Sequence, residues 1–481
     1  MKKNRHQPVR TIKMATATAR ATAMAVAMAL ALGGCALSAP PARVDAAVPQ
    51  QWQAPLPHNG SLTDLNNWWQ NQGDPLLVQL IDAAQAASPT LASARSRIAQ
   101  SRAERVAAGA ALAPSLDLAG SVARQNQQSS IPTGTTSQVA LQASWEIDVF
   151  GGGRAARNAA EARFNGANAG WHEARVSVAA ETANQYYGLR ACEQLLRVAL
   201  QDAGSRAYSS RLTELSSKAG FVSPSDAALA RASAADGRNR ASAQRAACDI
   251  GVKSLVALTA IGEPELRAKL AAAAVVPAPA IAIATLPAQT LSQRPDVYTA
   301  EQEVAAASFE VRGAQAQRYP RLSLSGSVGA ANFRSGGENT QLDTWTLGPL
   351  AISVPVFDAG RRRANVDAAQ ARYELAVSQY RGSVRKAVAE VEQAMVTLNS
   401  TAERAGDAEI SLQGYRVAFT AIEDRYKNGL ASLLELEDAR RSRLAAENTV
   451  VNLQQERSNA WVALYRAAGG GWSAPVTTNN Q

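Results

Sequence analysis

The chain has 481 residues, of which 46% are apolar and only 5% aromatic; alanine alone makes up about a fifth of it. That apolar content excludes a disordered chain, and no apolar run reaches the ~18–20 residues of a membrane-spanning helix, so any passage through a bilayer would have to be a β-barrel. The formal charge is +9, but residues 1–34 carry +6 of it and leave +3 for the remainder, which excludes a nucleic-acid binder with its charge in the folded part.

Residues 1–34 read as an export signal. Lys2, Lys3, Arg5, Arg10, Lys13 and Arg20 form a long positive region, Ala21–Leu32 a short apolar one, and small residues follow. Leu32-Gly33-Gly34-Cys35 has the form of a lipobox, which makes Cys35 the candidate lipidation site. Ala36 stands where an aspartate would signal inner-membrane retention, so the expected destination is the outer membrane. The lipid would anchor the segment 35–74 without spanning the bilayer. A plain signal peptide with a chance cysteine is the alternative.

The rest is a duplicated unit. Ser88-Pro89-Thr90-Leu91 matches Arg294-Pro295-Asp296-Val297, and Pro114-Ser115-Leu116-Asp117-Leu118 matches Pro320-Arg321-Leu322-Ser323-Leu324, both at a shift of 206. Phe150, Gly153, Arg154 and Asn158 match Phe357, Gly360, Arg361 and Asn365. The first repeat is assigned to 75–262, the second to 291–469. An Ala/Pro-rich connector, 263–290, separates them, and 470–481 is a tail. Each repeat is expected to run helix, β-hairpin, helical hairpin.

In chain order, a forward helix is expected over 75–112, then strands at about 115–124 and 138–148 joined by a polar loop, 125–137. A long helix, 153–218, and a return helix, 224–261, follow. The second repeat gives 294–318, strands at about 321–333 and 344–355 with a loop at 334–343, then helices 361–427 and 432–467. No proline interrupts 133–223 or 356–474, which permits helices of ~100 Å. Gly220 and Gly429 can take the left-handed conformation that ends a helix, and Ser223, Pro224 and Asp226 suit the start of the next. The strand segments alternate, as in Val139, Leu141, Ala143, Trp145 and Ile147 against Gln138, Gln142, Ser144 and Glu146. Gly348-Pro349 marks a phase change and is placed in a bulge. Soluble hairpins packed on helices would share the pattern, but the strand length and terminal tryptophans favour membrane strands. Four strands cannot close a barrel, so the chain must oligomerise; three copies give twelve strands, and the residues alone do not separate three from four.

Cys192 lies 28 residues before Gly220 and Cys248 lies 28 after it, the same height in an antiparallel hairpin. In an oxidising compartment they are expected to bridge, unless helical phase turns the thiols apart. The only histidines are His6, His58 and His172, too few and too scattered for a histidine metal cluster or a Ser-His-Asp set. Gly151-Gly152-Gly153 lacks the Gly-Lys-Ser/Thr ending of a phosphate loop. No catalytic residue, metal or cofactor is expected.

Taken in order, Trp145-Glu146-Ile147-Asp148-Val149-Phe150-Gly151, Arg294-Pro295-Asp296, Tyr319-Pro320-Arg321-Leu322-Ser323-Leu324, Pro355-Val356-Phe357-Asp358-Ala359-Gly360 and Leu464-Tyr465-Arg466-Ala467-Ala468-Gly469-Gly470-Gly471-Trp472 resemble the TolC/OprM family of outer membrane efflux channels, in its lipoprotein branch. The resemblance covers nearly all of 65–472. It implies a homotrimer with a twelve-stranded membrane β-barrel continued by a long periplasmic α-helical barrel. It implies an exit duct with two partners, a periplasmic adaptor (membrane fusion protein) and an inner-membrane pump, most readily of the resistance-nodulation type. The adaptor would dock at the turns around Gly220 and Gly429, with Lys218 and Lys427 beside them. Glu423, Asp424 and Arg425 are the gate candidates; an ordinary solvated helix face is the plainer account of them. A polypeptide secretion channel of the same architecture and a non-channel periplasmic coiled-coil lipoprotein are the rival readings.

Overall fold

Pro75, Pro89, Pro224, Pro287 and Pro295 each open a helix, the position where a fixed φ is pre-organised and a missing N–H costs nothing. The computed structural model describes residues 39–55, 67–71, 73–127, 131–273 and 287–474. The expected signal and Cys35 lie outside the described residues, as do 274–286 of the connector and 475–481 of the tail. The elements are α1 (Trp68–Asn71), α2 (Pro75–Ala87), α3 (Pro89–Ala110), β1 (Ser115–Gln127), β2 (Ile131–Ile147), α4 (Gly152–Lys218), α5 (Pro224–Thr259), α6 (Glu263–Ala272), α7 (Pro287–Leu291), α8 (Pro295–Ala316), β3 (Arg321–Ser335), β4 (Glu338–Ser353), α9 (Arg361–Lys427) and α10 (Leu433–Ala467). Among the described residues no helix is long and apolar enough to cross a membrane.

Three expectations need correction. The forward helix of the first repeat is two helices, because Ser88 precedes a proline and is forced into extended backbone (ψ 119°); its hydroxyl then accepts from Leu91 N at 3.3 Å and caps α3. The loops 125–137 and 334–343 are largely strand: Thr135, Thr136 and Ser137 pair with both β1 and β3, and only Gly336 and Gly337 separate β3 from β4. Polar composition there reflects the end of a paired sheet, half-buried at Thr135–Ser137, not a turn. The connector contains α6, with Glu263 and Glu265 in its first turn and Lys269 in its last, the charge order a helix dipole favours.

Among the described residues, one unit comprises 39–42, 106–160 and 305–374. It holds an antiparallel sheet in the order β1-β2-β3-β4. Leu324 pairs with Leu350 and Gly326 with Leu347, so Gly348 and Pro349 stand opposite Ser325 alone. This bulge keeps Trp345 and Leu347 on the same face as Leu350 and Ile352. A Cβ on Gly329 would lie 2.3 Å from the Val139 carbonyl oxygen, so the β2–β3 approach requires glycine. Both strand-to-helix corners are tied by an aspartate. Asp148 accepts from Gly153 N (3.0 Å) and Arg154 N (2.8 Å); Asp358 accepts from Gly360 N (3.1 Å) and Arg362 N (3.2 Å). Each satisfies N–H groups that a helix start leaves orphaned.

The other unit comprises 43–105, 161–304 and from 375 onward. Its main core joins Trp68, Trp69, Leu77, Leu80, Tyr186, Leu255, Leu266, Met395 and Tyr465. Trp68 stacks on Tyr465 at 4.9 Å between ring centroids. Buried Asp74 caps α2 through Leu76 N and Leu77 N and also accepts from the Tyr186 hydroxyl at 2.7 Å. Arg294, 5% exposed, donates to Asp296 (2.6 Å), Glu390 (2.7 Å) and the Ala467 carbonyl (3.0 Å), and so joins the start of α8 to α9 and to the end of α10. The extended N-terminal segment is held where Gln53 N and Ala54 N donate to the Glu392 carboxylate at 2.7 and 2.8 Å.

Cys192 on α4 and Cys248 on α5 are disulfide-bonded, with Cα atoms 5.6 Å apart and a sequence separation of 56. Closing a loop of that length contributes about 4 kcal/mol in the chain-entropy account. Denatured, unreduced protein is expected to show neither thiol by alkylation and peptide mapping; two alkylated cysteines would refute the bond.

Candidate functional site

The two helical turns are built alike. In the first, Phe221 N donates to Ser216 O (2.9 Å) and Gly220 N to Ser217 O (3.0 Å); in the second, Leu430 N donates to Arg425 O (2.8 Å) and Gly429 N to Tyr426 O (3.0 Å). Both are the paired six-to-one and five-to-two closure that requires a left-handed residue, and Gly220 and Gly429 have φ of 79° and 73°. The return helices start from Ser223, which accepts from Asp226 N (3.1 Å), and from Ser432, which forms a reciprocal capping box with Glu435. The residue after each glycine usually folds back onto the helix it ends. Here Phe221 and Leu430 are 84% and 69% exposed.

The Ser432 N–H holds the Glu435 carboxyl below its ordinary range. Because the folded value is depressed, this stabilisation is present above the ordinary glutamate range and is lost as pH falls through the lowered value. Hydrogen exchange at residues 433–436 is expected to accelerate over that window. Ser432→Ala should give the same fraying at neutral pH, at a cost of about 1 kcal/mol.

Lys218 ends α4, exposed, with no ion pair among the described residues. Lys427 ends α9 and bonds to Glu423 (3.0 Å) and Asp424 (3.6 Å); the Glu423 contact raises its pKa. The gate candidates separate. Arg425 donates to Leu430 O at 2.9 Å and closes its own turn. Asp424 stays on its own hairpin, its side chain 65% exposed. Glu423 alone reaches the first hairpin, accepting from Ser205 Oγ at 3.3 Å.

The larger feature lies behind them. Arg440 of α10 is fully buried. It donates to Ser205 and Ser209 of α4, both at 3.0 Å, and pairs with Glu437. Arg206 of α4 donates to Asp202 (2.8 Å) and to Ser233 of α5 (2.6 Å), and also pairs with Glu437. Arg240 of α5 reaches Asp202 at 3.5 Å. Arg440 Nε and Asp202 Oδ1 face each other at 4.0 Å, and neither has a hydrogen-bond partner. Burial lowers the Arg440 pKa. Nearer the turns, Thr213 and Tyr426 share a hydroxyl–hydroxyl bond of 2.6 Å. All four long helices thus meet in one buried ionic network. Sequence reading missed it. The one available signal was Arg440 falling four residues after Leu436 and seven after Leu433, on the apolar stripe of its helix.

The sheet has two unlike faces, and the register aligns each across the strands. Leu118, Leu141, Val328 and Trp345 form one row; Asp117, Gln142, Ser327 and Thr346 form the next, on the opposite face. The first face exposes large apolar side chains, with Trp345 76% and Leu347 86% exposed. The second is mostly small and polar, with Ser327 and Thr346 bonded at 2.9 Å, and carries Phe333 and Leu342 toward its hairpin end. The outer edges of β1 and β4 carry no strand partner among the described residues.

The profile of a family described as outer membrane efflux protein matches residues 80–260 and 286–470. The chain is 32% identical to the pyoverdine export outer membrane protein OpmQ of Pseudomonas putida, over 92% of this chain and 96% of that protein. It is 29% identical to the toluene efflux pump outer membrane protein TtgI of Pseudomonas putida, over the same 92% and 96%. The solved outer-membrane channel OprN superposes with a TM-score of 0.82 at 27% identity, covering 91% of this chain and all of that one.

Proposed function

Because the chain belongs to the outer membrane efflux protein family, we propose that it is the exit duct of a tripartite efflux system, assembled as a homotrimer whose three four-stranded sheets close a twelve-stranded barrel. The chain is an outer membrane efflux channel. The observation that carries the assembly of several copies is the sheet itself, and three is the number that closes twelve strands. Its apolar face suits lipid, its polar face suits a water-filled lumen, and its unpaired edges at β1 and β4 would each leave backbone groups unsatisfied at several kcal/mol in a bilayer. Edge pairing between copies removes that cost. Cys35 carries the lipid. A periplasmic adaptor docks on the turns at Gly220 and Gly429, with an inner-membrane pump of the resistance-nodulation type beneath it. The relatives are named for cargoes as unlike as pyoverdine and toluene, so small-molecule cargo is selected upstream and the duct passes what the pump delivers.

Purified protein in planar bilayers is expected to conduct, and photocrosslinkers at Ala219 and Asn428 in living cells should capture an adaptor identifiable by mass spectrometry. An intact trimer that neither conducts nor captures a partner would leave the non-channel lipoprotein reading in its place.

A further inference from the structure

Two arginines share one row at the distal end of the apolar sheet face. Arg124 pairs with Thr135, Thr135 with Arg334, and Arg334 with Asn339. Directly paired residues point to one side of a sheet, so all four belong to the face that carries Leu118, Leu141, Val328 and Trp345. Two strand spacings separate the arginine backbones, about 10 Å, within the combined reach of two arginine side chains. Both are exposed, and neither side chain makes an ion pair or hydrogen bond among the described residues. The adjacent row, Val122, Ser137, Asn332 and Gln341, contains no acid. The first acid on this face among the described residues is Asp343, one row further toward the helices. The repeat does not account for the pair, since the shift of 206 would set Ala330 opposite Arg124.

The height of the row identifies what it meets. One row is two residues, or roughly 5 Å along the membrane normal for a strand tilted by about 40°. The arginines therefore sit one step beyond Val122, the last apolar residue of β1 on this face, inside a headgroup layer about 5–7 Å deep. They lie at the hairpin ends of the strands, away from the helices. With the helices in the periplasm, that end faces the outer leaflet, so the inference rests on the channel reading above. A guanidinium binds a phosphate with two parallel hydrogen bonds, and a basic pair at a membrane surface attracts anionic headgroups.

We propose that Arg124 and Arg334 form, on each protomer, an outward-facing site for the phosphate groups of a phosphorylated lipid of the outer leaflet. The site holds the barrel rim at the headgroup level and orders the surrounding lipid.

The test uses the intact trimer in detergent, titrated with bis-phosphorylated lipid A and, separately, with lipid A whose phosphates have been removed, and read by native mass spectrometry. Wild type should prefer the phosphorylated form. Arg124→Gln with Arg334→Gln should weaken its binding about 25-fold, roughly fivefold per arginine, and leave binding of the dephosphorylated form unchanged. Arg124→Lys with Arg334→Lys should restore most of the preference, which a merely structural role for the arginines would not predict. Equal binding of both lipids by wild type, or an undiminished preference in the glutamine variant, overturns the site. Conductance of the same preparations in planar bilayers separates the two claims. A wild type that conducts without lipid preference refutes only the arginine site, whereas a trimer that does not conduct refutes the channel reading beneath it.

Discussion

Arg440→Ala is expected to lower stability by about 3–5 kcal/mol, because removing one member of a buried charge network leaves the others uncompensated. Glu437 would then be left with Arg206, and Asp202 with Arg206 and the half-exposed Arg240, while Ser205 and Ser209 lose a donor at 3.0 Å. The damage should concentrate where α4, α5, α9 and α10 meet. Limited proteolysis is expected to cut earliest near the turns, and the melting temperature of the trimer should fall. A second substitution decides whether charge is the cause. With Glu437→Leu added to Arg440→Leu, one positive and one negative charge leave together. The double variant should then be more stable than Arg440→Leu alone. If the two effects simply add, Arg440 acts through packing against Phe419, which lies 5.7 Å beneath its guanidinium, and not through charge. The network also binds the second hairpin to the first, so any motion that opens the turns must carry both hairpins or break it. An Arg440→Ala channel is therefore expected to conduct more than wild type in planar bilayers.

Gly469→Ala should be the most damaging glycine-to-alanine change among the described residues. Gly469 has φ of +84°, and a Cβ there would lie 1.9 Å from the Gln293 carbonyl oxygen. Backbone must move, and the backbone in the way precedes Arg294, whose guanidinium ties together α8, α9 and the end of α10. A left-handed alanine alone costs about 1–2 kcal/mol. Gly429→Ala provides that reference, since its φ is +73° and nothing lies within 4 Å of the added atom. The expected outcome is a modest loss for Gly429→Ala and failure to accumulate a folded trimer for Gly469→Ala, read by thermal melts and native gels. Equal losses would show that the terminal glycines serve conformation and not close approach.

Much of the architecture was legible because its signals are local. Proline-free stretches bounded by Gly220 and Gly429 marked the long helices, and the second was placed at 361–427, where it is found. The Gly348-Pro349 phase change was readable because apolar alternation broke there and resumed. What escaped reading depends on partners distant in sequence. Thr135–Ser137 looked like loop because a run of polar residues at a sheet end resembles a turn until β1 and β3 are set beside it. Arg440 looked like one more charge on a charged helix; its burial follows from four helices converging, and Asp202 and Arg206 lie more than 200 residues away. Of the candidates Glu423, Asp424 and Arg425, only Glu423 touches the first hairpin, and the nearby Thr213–Tyr426 bond was not legible because its partners lie more than 200 residues apart.

The two longest helices, α4 and α9, each contain 67 residues. That equality limits how such a protein can change in length over evolution. One inserted residue advances everything beyond it by 1.5 Å and turns it by about 100°, which would rotate Ser205, Arg206 and Ser209 away from Arg440. An insertion of seven residues nearly restores the facing side, with a residual drift of ~20°, but only if the returning helix gains the same seven and the other repeat follows. Length variants of this chain that remain functional should therefore differ by whole heptads placed at four positions together, while single-residue insertions should be confined to the hairpin ends of the sheet and the connector.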